Sequence, residues 1–305
     1  MAPSTSSATR RFELIGAPFD GGATLGWPGS RYAPTRIRES LSWMTMRSEQ
    51  GNVYSLDTGG LMPADGDLIV DRGDVAVIPH DLEATLAATT DAVATTVRAS
   101  RTPILLGGDD CLFYAGVKGL HDAVDGTVGI VHFDAHLDLM DESVRQGRYS
   151  HSSGMRRSLE LPRVRKEHTI QVGLRHFNYP SSLAFIEQGG PEQVTALEFD
   201  RIGVEAAMAR VLDRVAGADY VYFNFDIDTI DPAYAPGAGA HEPGGITSRE
   251  AIETIKLLAP HVDAFSVMEV NPLKDLHDMT SNLAAYLCYY FAVFGSSRAG
   301  ASGSQ

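Results

Sequence analysis

The residues of this sequence best suited to chemistry are carboxylates and a histidine that follow two apolar stretches. Asp134, His136 and Asp138 alternate along one short segment, and Asp226 and Asp228 alternate along another. In an extended chain every second side chain points to the same face, so each set can converge on one point. Unpaired charges at the rim of an apolar sheet are costly, and multivalent cations are their usual compensation. The pattern therefore predicts a metalloenzyme.

Composition and charge exclude several other classes of function. The chain has 305 residues and a formal net charge of −14, which would repel nucleic acid and anionic membrane surfaces. Its longest apolar stretch, residues 283–294, is too short to cross a bilayer. Cys111 and Cys288 match neither a disulfide framework nor a zinc site, so we expect a cytoplasmic protein. Neither a nucleic-acid partner nor a membrane partner is expected.

Apolar β-type segments alternate with helical segments along the chain. Strands are predicted at residues 12–15, 102–106, 127–133, 169–172, 219–225 and 262–268, and helices at residues 82–98, 203–215 and 248–259. Such alternation is typical of a mostly parallel sheet with helices on both faces. No linker divides the chain, so one α/β domain is predicted over residues 11–296. Residues 1–10 and 297–305 are predicted to be disordered tails.

Polar motifs directly follow four of the predicted strands. They occupy residues 107–110, 134–138, 226–231 and 269–272. In parallel sheets the functional groups gather on loops at the carboxyl ends of the strands. We therefore expect these four motifs to face one cleft.

Three residues near these motifs are given structural roles. Asp231 precedes Pro232, where an acid more often orders a turn by accepting backbone hydrogen bonds than binds metal. His132 lies within a predicted strand beside Phe133, so a core or sheet-edge histidine is expected. Cys111 is predicted to begin a helix that packs on the sheet.

Taken together, the motifs resemble the ureohydrolase family, which includes arginase, agmatinase and guanidinobutyrase. The resemblance rests on Gly-Gly-Asp-Asp, Asp-Ala-His-Leu-Asp, Asp-Ile-Asp-Thr-Ile-Asp-Pro, Pro-Gly-Gly-Ile-Thr-Ser-Arg-Glu and Glu-Val-Asn-Pro, which begin at residues 107, 134, 226, 243 and 269. It implies a single-domain, three-layer arginase-like fold around a central, mostly parallel sheet of about eight strands. It also implies a homo-oligomer, either a trimer or a hexamer.

The same resemblance implies six ligands for two divalent metal ions, most often Mn²⁺. Asp134 and Asp226 would bridge the two ions. His136 and Asp228 would complete one site, and Asp138 and Asp110 would complete the other. Carboxylates with one imidazole suit manganese on ligand chemistry as well. Ni²⁺, Co²⁺ or a single bound ion stay open.

The resemblance further implies the reaction, in which a guanidino group is hydrolysed to urea and an amine. A water held between two divalent ions loses its proton near neutral pH and attacks the guanidinium carbon. His151 matches the histidine that protonates the departing amine. Glu269 matches the acid that holds the guanidinium through paired hydrogen bonds. Asp138 is counted both among the ligands and among the catalytic residues.

One ligand position departs from the family pattern, because family members normally carry a histidine where this chain has Asp110. Five carboxylates against two doubly charged ions leave a net charge of −1, which should raise the pKa of the bridging water. Three outcomes are open: a working ion pair with altered metal preference, one occupied site, or a catalytically silent relative. We favour the first, because Asp134, Asp138 and Asp226 still offer three ligands to that ion.

The substrate is only partly defined by the sequence. The loop at residues 139–150 lacks the Asn, Thr and Ser set with which arginases hold the α-amino acid end of arginine. Arg145 and Arg148 would suit the carboxylate of a guanidino acid such as guanidinobutyrate. Asp141 and Glu142 would instead suit the ammonium of an agmatine-like amine. The alternatives to such an enzyme are a hydrolase of a formimino group or another unusual amidine, and a non-catalytic partner subunit with an impaired metal site.

Overall fold

The computed structural model describes residues 9–23 and 26–298, which fold around one large sheet. The strands in this part of the chain are β1 (Phe12–Gly16), β2 (Asn52–Ser55), β3 (Gly60–Pro63), β4 (Ile69–Asp74), β5 (Thr102–Leu106), β6 (Val128–Phe133), β7 (Val164–Leu174), β8 (Glu192–Thr195), β9 (Tyr220–Asp226) and β10 (Ala264–Met268). β2 and β3 form a separate antiparallel hairpin, and the other eight pair in parallel in the order β4-β1-β5-β10-β9-β6-β7-β8. The predicted parallel sheet of eight strands is confirmed.

Helices cover both faces of this sheet. They are α1 (Ala33–Thr45), α2 (Leu82–Arg98), α3 (Cys111–Ala123), α4 (Gly154–Ser158), α5 (Pro180–Glu187), α6 (Ala196–Ile202), α7 (Val204–Val215), α8 (Ser248–Leu258) and α9 (Met279–Gly295). Alternate strand residues enter different cores, so Leu106 packs on the side of α1, α7, α8 and α9, and Leu105 packs on the side of α2 and α3. The result is a three-layer α/β domain.

No helix in the described part of the chain is long and apolar enough to span a membrane.

Agreement with the predicted elements is closest in the middle of the sheet. The six predicted strands and three predicted helices are all present, and α3 begins at Cys111 as expected. The edge strands β4 and β8 and the β2–β3 hairpin were not predicted. The side chains of these elements are mostly half-buried or exposed, so they lack the continuous apolar pattern of the central strands.

The site depends on the order of the central strands. β5, β10, β9 and β6 are neighbours in the sheet, although β6 follows β5 along the chain and β9 and β10 come much later. The chain crosses from β5 to β6 and leaves a gap that β9 and β10 later fill. Such a switch in strand order opens a crevice at the carboxyl ends of the strands. The four polar motifs follow these four strands, which places them at this crevice.

The predicted tails lie mostly outside the described residues, which exclude residues 1–8 and 299–305. Arg10, which was assigned to the first tail, is described and anchored. Its backbone N–H donates to Ser296 O at 2.9 Å, and its guanidinium donates to Thr102 Oγ1 at 3.0 Å and Val262 O at 2.7 Å. These bonds tie Arg10 to the domain.

Candidate metal centre

The Gly-Gly-Asp-Asp segment turns the chain from β5 into α3. An ideal Cβ at Gly108 would lie 1.7 Å from a carbonyl oxygen of the neighbouring loop, so glycine is required there. Asp109 accepts hydrogen bonds from Gly22 N at 2.7 Å and from Cys111 N at 2.9 Å, which engages both of its carboxylate oxygens within the loops. Asp110, and not Asp109, is therefore the acid of this segment that is available to a metal ion.

Most of the predicted ligands converge at the carboxyl edge of the sheet. Two groups of described residues have possible ligand atoms within 4.8 Å of one another, and they are Asp110, His132, Asp134 and Asp138, and Asp134, His136 and Asp228. Asp134 belongs to both groups, as a bridging ligand would. Apart from His132, the first group contains three of the four ligands predicted for one site, and the second group contains three of the four predicted for the other.

Asp226 lies close to these groups but belongs to neither of them. Its Oδ1 accepts a hydrogen bond from Asp228 N at 2.9 Å, and Asp226 lines a cavity that opens beside these groups. Burial, followed by the negative charges of Asp228 and Asp134, raises the pKa of Asp226 well above its ordinary value. The geometry therefore gives Asp226 a place beside the ions, and its bridging role stays a prediction.

The electrostatics of the centre fit divalent cations. Burial, and then the charge of neighbouring carboxylates, raises the pKa values of Asp110, Asp138 and Glu269 well above the ordinary range. Asp110 Oδ2 is buried and has no hydrogen-bond partner among the described residues, and the buried Asp134 Oδ2 has only the imidazole of His132 nearby, at 3.2 Å. Buried, unpartnered carboxylate oxygens are costly unless a cation compensates them. The donor set of carboxylates and imidazole suits Mn²⁺ and related ions.

His132 is the residue at this centre that the sequence analysis set aside. It is a buried core histidine as expected, stacked on Phe113, but its Nε2 also lies 3.2 Å from Asp134 Oδ2. Gln171 Nε2 lies 3.1 Å from His132 Nδ1, which places the proton of a neutral imidazole on Nε2. His132 therefore supports the Asp134 carboxylate. Its position two residues before Asp134 could have indicated that the two side chains share one face.

Asp231 has the structural role that was predicted for it. Its carboxylate accepts hydrogen bonds from Ala233 N at 2.9 Å, Gly244 N at 2.7 Å and Gly245 N at 3.3 Å. These bonds join the turn after β9 to the glycine-rich segment that precedes α8. Asp231 therefore orders the loop beneath the metal centre and is not a ligand.

A cavity of about 690 Å³ opens above the carboxylates and includes His151 and Glu269 in its wall. Glu269 Oε1 accepts a hydrogen bond from Asp110 N at 2.9 Å, and His151 Nδ1 lies 3.9 Å from the same oxygen. Burial, and then the charge of His136, lowers the pKa of His151, so its imidazole is neutral at neutral pH. His151 and Glu269, two of the three predicted catalytic residues, thus line one space beside the ligands.

Two residues of this site, Asp138 and Glu269, are among the seven described non-glycine residues with positive φ. Asp138 and Glu269 adopt left-handed φ values of 48° and 61°, which non-glycine residues seldom occupy. Glu269 is held there by a hydrogen bond from its backbone N–H to Gly108 O at 2.9 Å. An ideal Cβ at Gly239 would lie 2.4 Å from Glu269 Oε2, so this glycine leaves room for the carboxylate. Strain of this kind is typical of functional sites.

A three-layer α/β domain with a buried Asp/His cluster at the carboxyl edge of its sheet is the architecture of a metal-dependent hydrolase family. The arginase family matches residues 10–293, and the chain belongs to this family. The resemblance that the motifs indicated is therefore confirmed. The chain is similar to enzymes that act on more than one kind of amidine, as its relatives illustrate.

Proclavaminate amidinohydrolase of Streptomyces clavuligerus is 34% identical over 289 residues, which covers 92% of this chain and 87% of that protein. Its solved structure matches with a TM-score of 0.82 over 95% of this chain and 93% of that chain, at 30% identity. Guanidinopropionase of Pseudomonas aeruginosa is 32% identical over 287 residues, covering 93% of this chain and 86% of that protein. Formimidoylglutamase of Halobacterium salinarum is 34% identical over 290 residues, covering 91% of this chain and 86% of that protein.

Replacing Asp110 by histidine is predicted to change the metal preference. Carboxylate favours hard ions and imidazole admits nickel, cobalt and zinc more readily, so Asp110→His should shift the metal that gives the highest rate. Alternatively, removing one negative charge from the residues that would hold the ions should lower the pH at which the rate rises by about one unit or more. The measurement is a pH–rate profile and metal content with each ion for both proteins.

The control for this exchange is Asn224→Ala. Asn224 Nδ2 donates to Asp110 Oδ1 at 2.9 Å, so this variant loses the hydrogen bond and keeps the carboxylate. It should retain the original metal preference. Superimposable profiles and equal metal content for the wild type and Asp110→His would show that Asp110 points away from the ions.

The buried carboxylates should make the metal-free protein less stable as pH rises. The raised pKa values of Asp110, Asp138 and Asp226 mean that, above about pH 4, the folded chain binds more protons than the unfolded chain. The raised pKa of His136, caused mainly by the charge of Asp228, acts in the same direction above about pH 6.5. We expect the melting temperature to fall by at least about 5 °C between pH 5.5 and pH 8.

Thermal unfolding in the presence of a chelator measures this effect. The lowered pKa values of His151 and His261 oppose the trend, but only below about pH 6.5. Adding Mn²⁺ should raise the melting temperature more at pH 8 than at pH 5.5, because the carboxylates are then ionised. Asp226→Asn should flatten the pH dependence of the metal-free protein. A melting temperature that stays constant or rises over this interval would contradict the assigned charge environment.

Proposed function

We propose that this protein is a metal-dependent hydrolase of a linear guanidino compound, which it converts to urea and an amine. The observation that carries the proposal is the convergence of Asp110, Asp134, Asp138, His136 and Asp228 on two overlapping groups of ligand atoms. The same cavity contains a carboxylate and an imidazole that are not in either group. Relatives named guanidinopropionase and proclavaminate amidinohydrolase support a guanidino substrate.

Glu269 is proposed to bind the guanidinium. Its carboxylate lines the cavity, and Asp110 N donates to Oε1, which holds the group beside the predicted ligands. A carboxylate can accept two parallel hydrogen bonds from a guanidinium, which fixes the plane of the substrate. Two bound divalent ions would supply a deprotonated water as the nucleophile and would stabilise the developing charge. We expect Mn²⁺ to be the preferred ion.

His151 is proposed to carry the proton to the departing amine. A neutral imidazole in the cavity wall can accept a proton and deliver it to the nitrogen that leaves. Its Nδ1 lies 3.9 Å from Glu269 Oε1, which supports a role beside the guanidinium that Glu269 is proposed to hold. The assembly into a trimer or hexamer and the cytoplasmic location stay predictions from the family resemblance and from cysteine usage.

Two other functions are kept as alternatives for specific reasons. A formimino substrate is supported by the similarity to formimidoylglutamase, which is as close as the similarity to proclavaminate amidinohydrolase. A non-catalytic partner subunit is suggested by Asp110, which adds a negative charge where the family places a neutral imidazole. Both alternatives retain the fold, so only the chemistry separates them.

The test is a screen for urea release over linear guanidino compounds with Mn²⁺, Ni²⁺, Co²⁺ and Zn²⁺. Urea release above that of chelator-treated protein supports the proposed reaction. Product from formimino compounds without any urea would favour the first alternative. A chain that holds markedly less than two ions after dialysis and hydrolyses nothing would be the partner subunit.

A further inference from the structure

An ion-pair cluster borders the cavity next to the metal centre. We refer to Arg148, Arg156, Arg157, Asp141 and Glu160 as the arginine cluster. Arg157 Nη2 contacts Asp141 Oδ1 at 2.6 Å and Glu160 Oε1 at 2.8 Å, and Arg148 Nη2 contacts Glu160 Oε2 at 2.6 Å. Three cations thus share two anions. The short contacts of Asp141 and Glu160 are therefore made with Arg157 and Arg148.

Arg156 is the cation of the cluster whose hydrogen-bond donors are not engaged by these acids. Its closest approaches are 3.5 Å to Asp141 and 3.8 Å to Glu160, and neither is a hydrogen bond. The ring of Phe185 lies 4.2 Å from the Arg156 guanidinium carbon and holds the group by a cation–π contact. Of the cluster, Arg156 and Asp141 line the cavity, and Asp141 is hydrogen-bonded to Arg157. An oriented, partly buried guanidinium therefore faces the substrate space.

Arg156 is also tied to the metal centre through its backbone. Its N–H donates to the carbonyl oxygen of Asp138 at 3.0 Å, and Asp138 is a predicted ligand. The side chains of both residues line the same cavity. A molecule bound in this cavity can therefore contact both Arg156 and the predicted ligand Asp138.

We infer that Arg156 binds the carboxylate of the substrate, so that this chain acts on short ω-guanidino acids in preference to agmatine. The inference rests on the proposed guanidino hydrolysis. A planar guanidinium with free N–H groups matches a carboxylate by two parallel hydrogen bonds. Asp141, the acid that would attract the ammonium of agmatine, is engaged by Arg157. The agmatine ammonium would instead meet the positive charge of Arg156.

Arg156 is not among the residues that the sequence suggested for binding the carboxylate or the ammonium of the substrate. Arg148 is engaged by Glu160, and neither Arg145 nor Glu142 is among the described residues that line the cavity. Arg156 lies five residues after His151, on α4, and was outside the loop that the sequence analysis considered. Only the packing of α4 against the cavity identifies it.

The test compares 3-guanidinopropionate and 4-guanidinobutyrate with butylguanidine, a neutral counterpart, and with agmatine. The wild type should prefer the acids to butylguanidine in kcat/KM by roughly 10- to 100-fold, the range for a hydrogen bond to a charged group. Arg156→Gln should bring this ratio close to one, chiefly by raising KM for the acids. Arg156→Lys keeps the charge without the planar fork and should give an intermediate ratio. Arg156→Glu should reverse the preference in favour of agmatine.

Arg165→Gln is the charge-matched control, because Arg165 lies outside the cavity and donates to Pro162 O at 2.9 Å. It should keep the preference of the wild type. A wild type without preference for the acids, or an Arg156→Gln protein that retains it, would overturn the inference.

Failure of the proposed reaction is distinguished by measuring binding. If no compound yields urea with any metal, the same ratio is obtained from Kd values by calorimetry with Mn²⁺-loaded protein. Tighter binding of the acids that disappears in Arg156→Gln would then support the carboxylate site without the hydrolysis. Equal Kd values for 4-guanidinobutyrate and butylguanidine would reject the site as well. Melting temperatures of all variants verify that each one is folded.

Discussion

Asp134→Ala is expected to lose bound metal and to lower turnover by at least about 10³-fold, since metal ions supply several kcal/mol of transition-state stabilisation. Asp134 is the one residue whose ligand atoms belong to both groups at the centre. Removing it withdraws a negative charge from both ion positions at once. The measurement is metal content per chain after dialysis, together with kcat at saturating Mn²⁺. Turnover near that of the wild type at saturating metal would make the two-ion assignment wrong.

Asp226→Ala is expected to behave in the same way if Asp226 also bridges. Because Asp226 lies in neither compact group, the pair of variants separates the two bridging assignments. An Asp226→Ala protein with two ions and a normal rate would restrict bridging to Asp134. Asp231→Ala is the matched control from the same motif. It loses three backbone hydrogen bonds, so it should be less stable yet hold two ions per folded chain.

His151→Asn is expected to keep its metal and to lose rate by roughly 10²- to 10⁴-fold, as for a general acid–base residue. His151 lines the cavity but belongs to neither group of ligand atoms, so proton transfer and not metal binding should be affected. The measurement combines kcat with metal analysis over pH. Loss of the ionisation on the acidic side of the kcat profile should accompany the fall in rate.

The control for this variant is His168→Asn, because His168 lies on β7 outside the cavity. It should leave the rate close to that of the wild type. A normal rate in His151→Asn would remove His151 from the mechanism. Loss of metal in that variant would instead make it a ligand.

Features that depend on neighbours in the chain could be predicted from the sequence. Continuous apolar runs identified the central strands, since strands buried on both faces need apolar residues at every position. Thr247 and Glu250 form the capping box that begins α8, with Glu250 N donating to Thr247 Oγ1 at 3.2 Å and Thr247 N donating to Glu250 Oε2 at 2.7 Å. Asp231 was assigned to a turn because it directly precedes Pro232, which is also a local feature of the sequence.

The half-exposed elements could not be predicted with the same rules. β4 ends with Asp71, Arg72, Gly73 and Asp74, and β8 is only four residues long. Such strands are stabilised by hydrogen bonds to a neighbour that the local sequence does not reveal. Their place in the sheet is therefore decided by the strands beside them, β1 and β7.

The sequence by itself determined the α/β class, the ligand types and their alternation, because side-chain periodicity is a property of the local backbone. The tertiary structure decided which groups meet. It placed β9 and β10 between β5 and β6, and engaged Arg148 and Asp141 with other members of the arginine cluster. These contacts join residues from different parts of the chain. They are set by the packing of layers and by competition among charges, which no local pattern encodes.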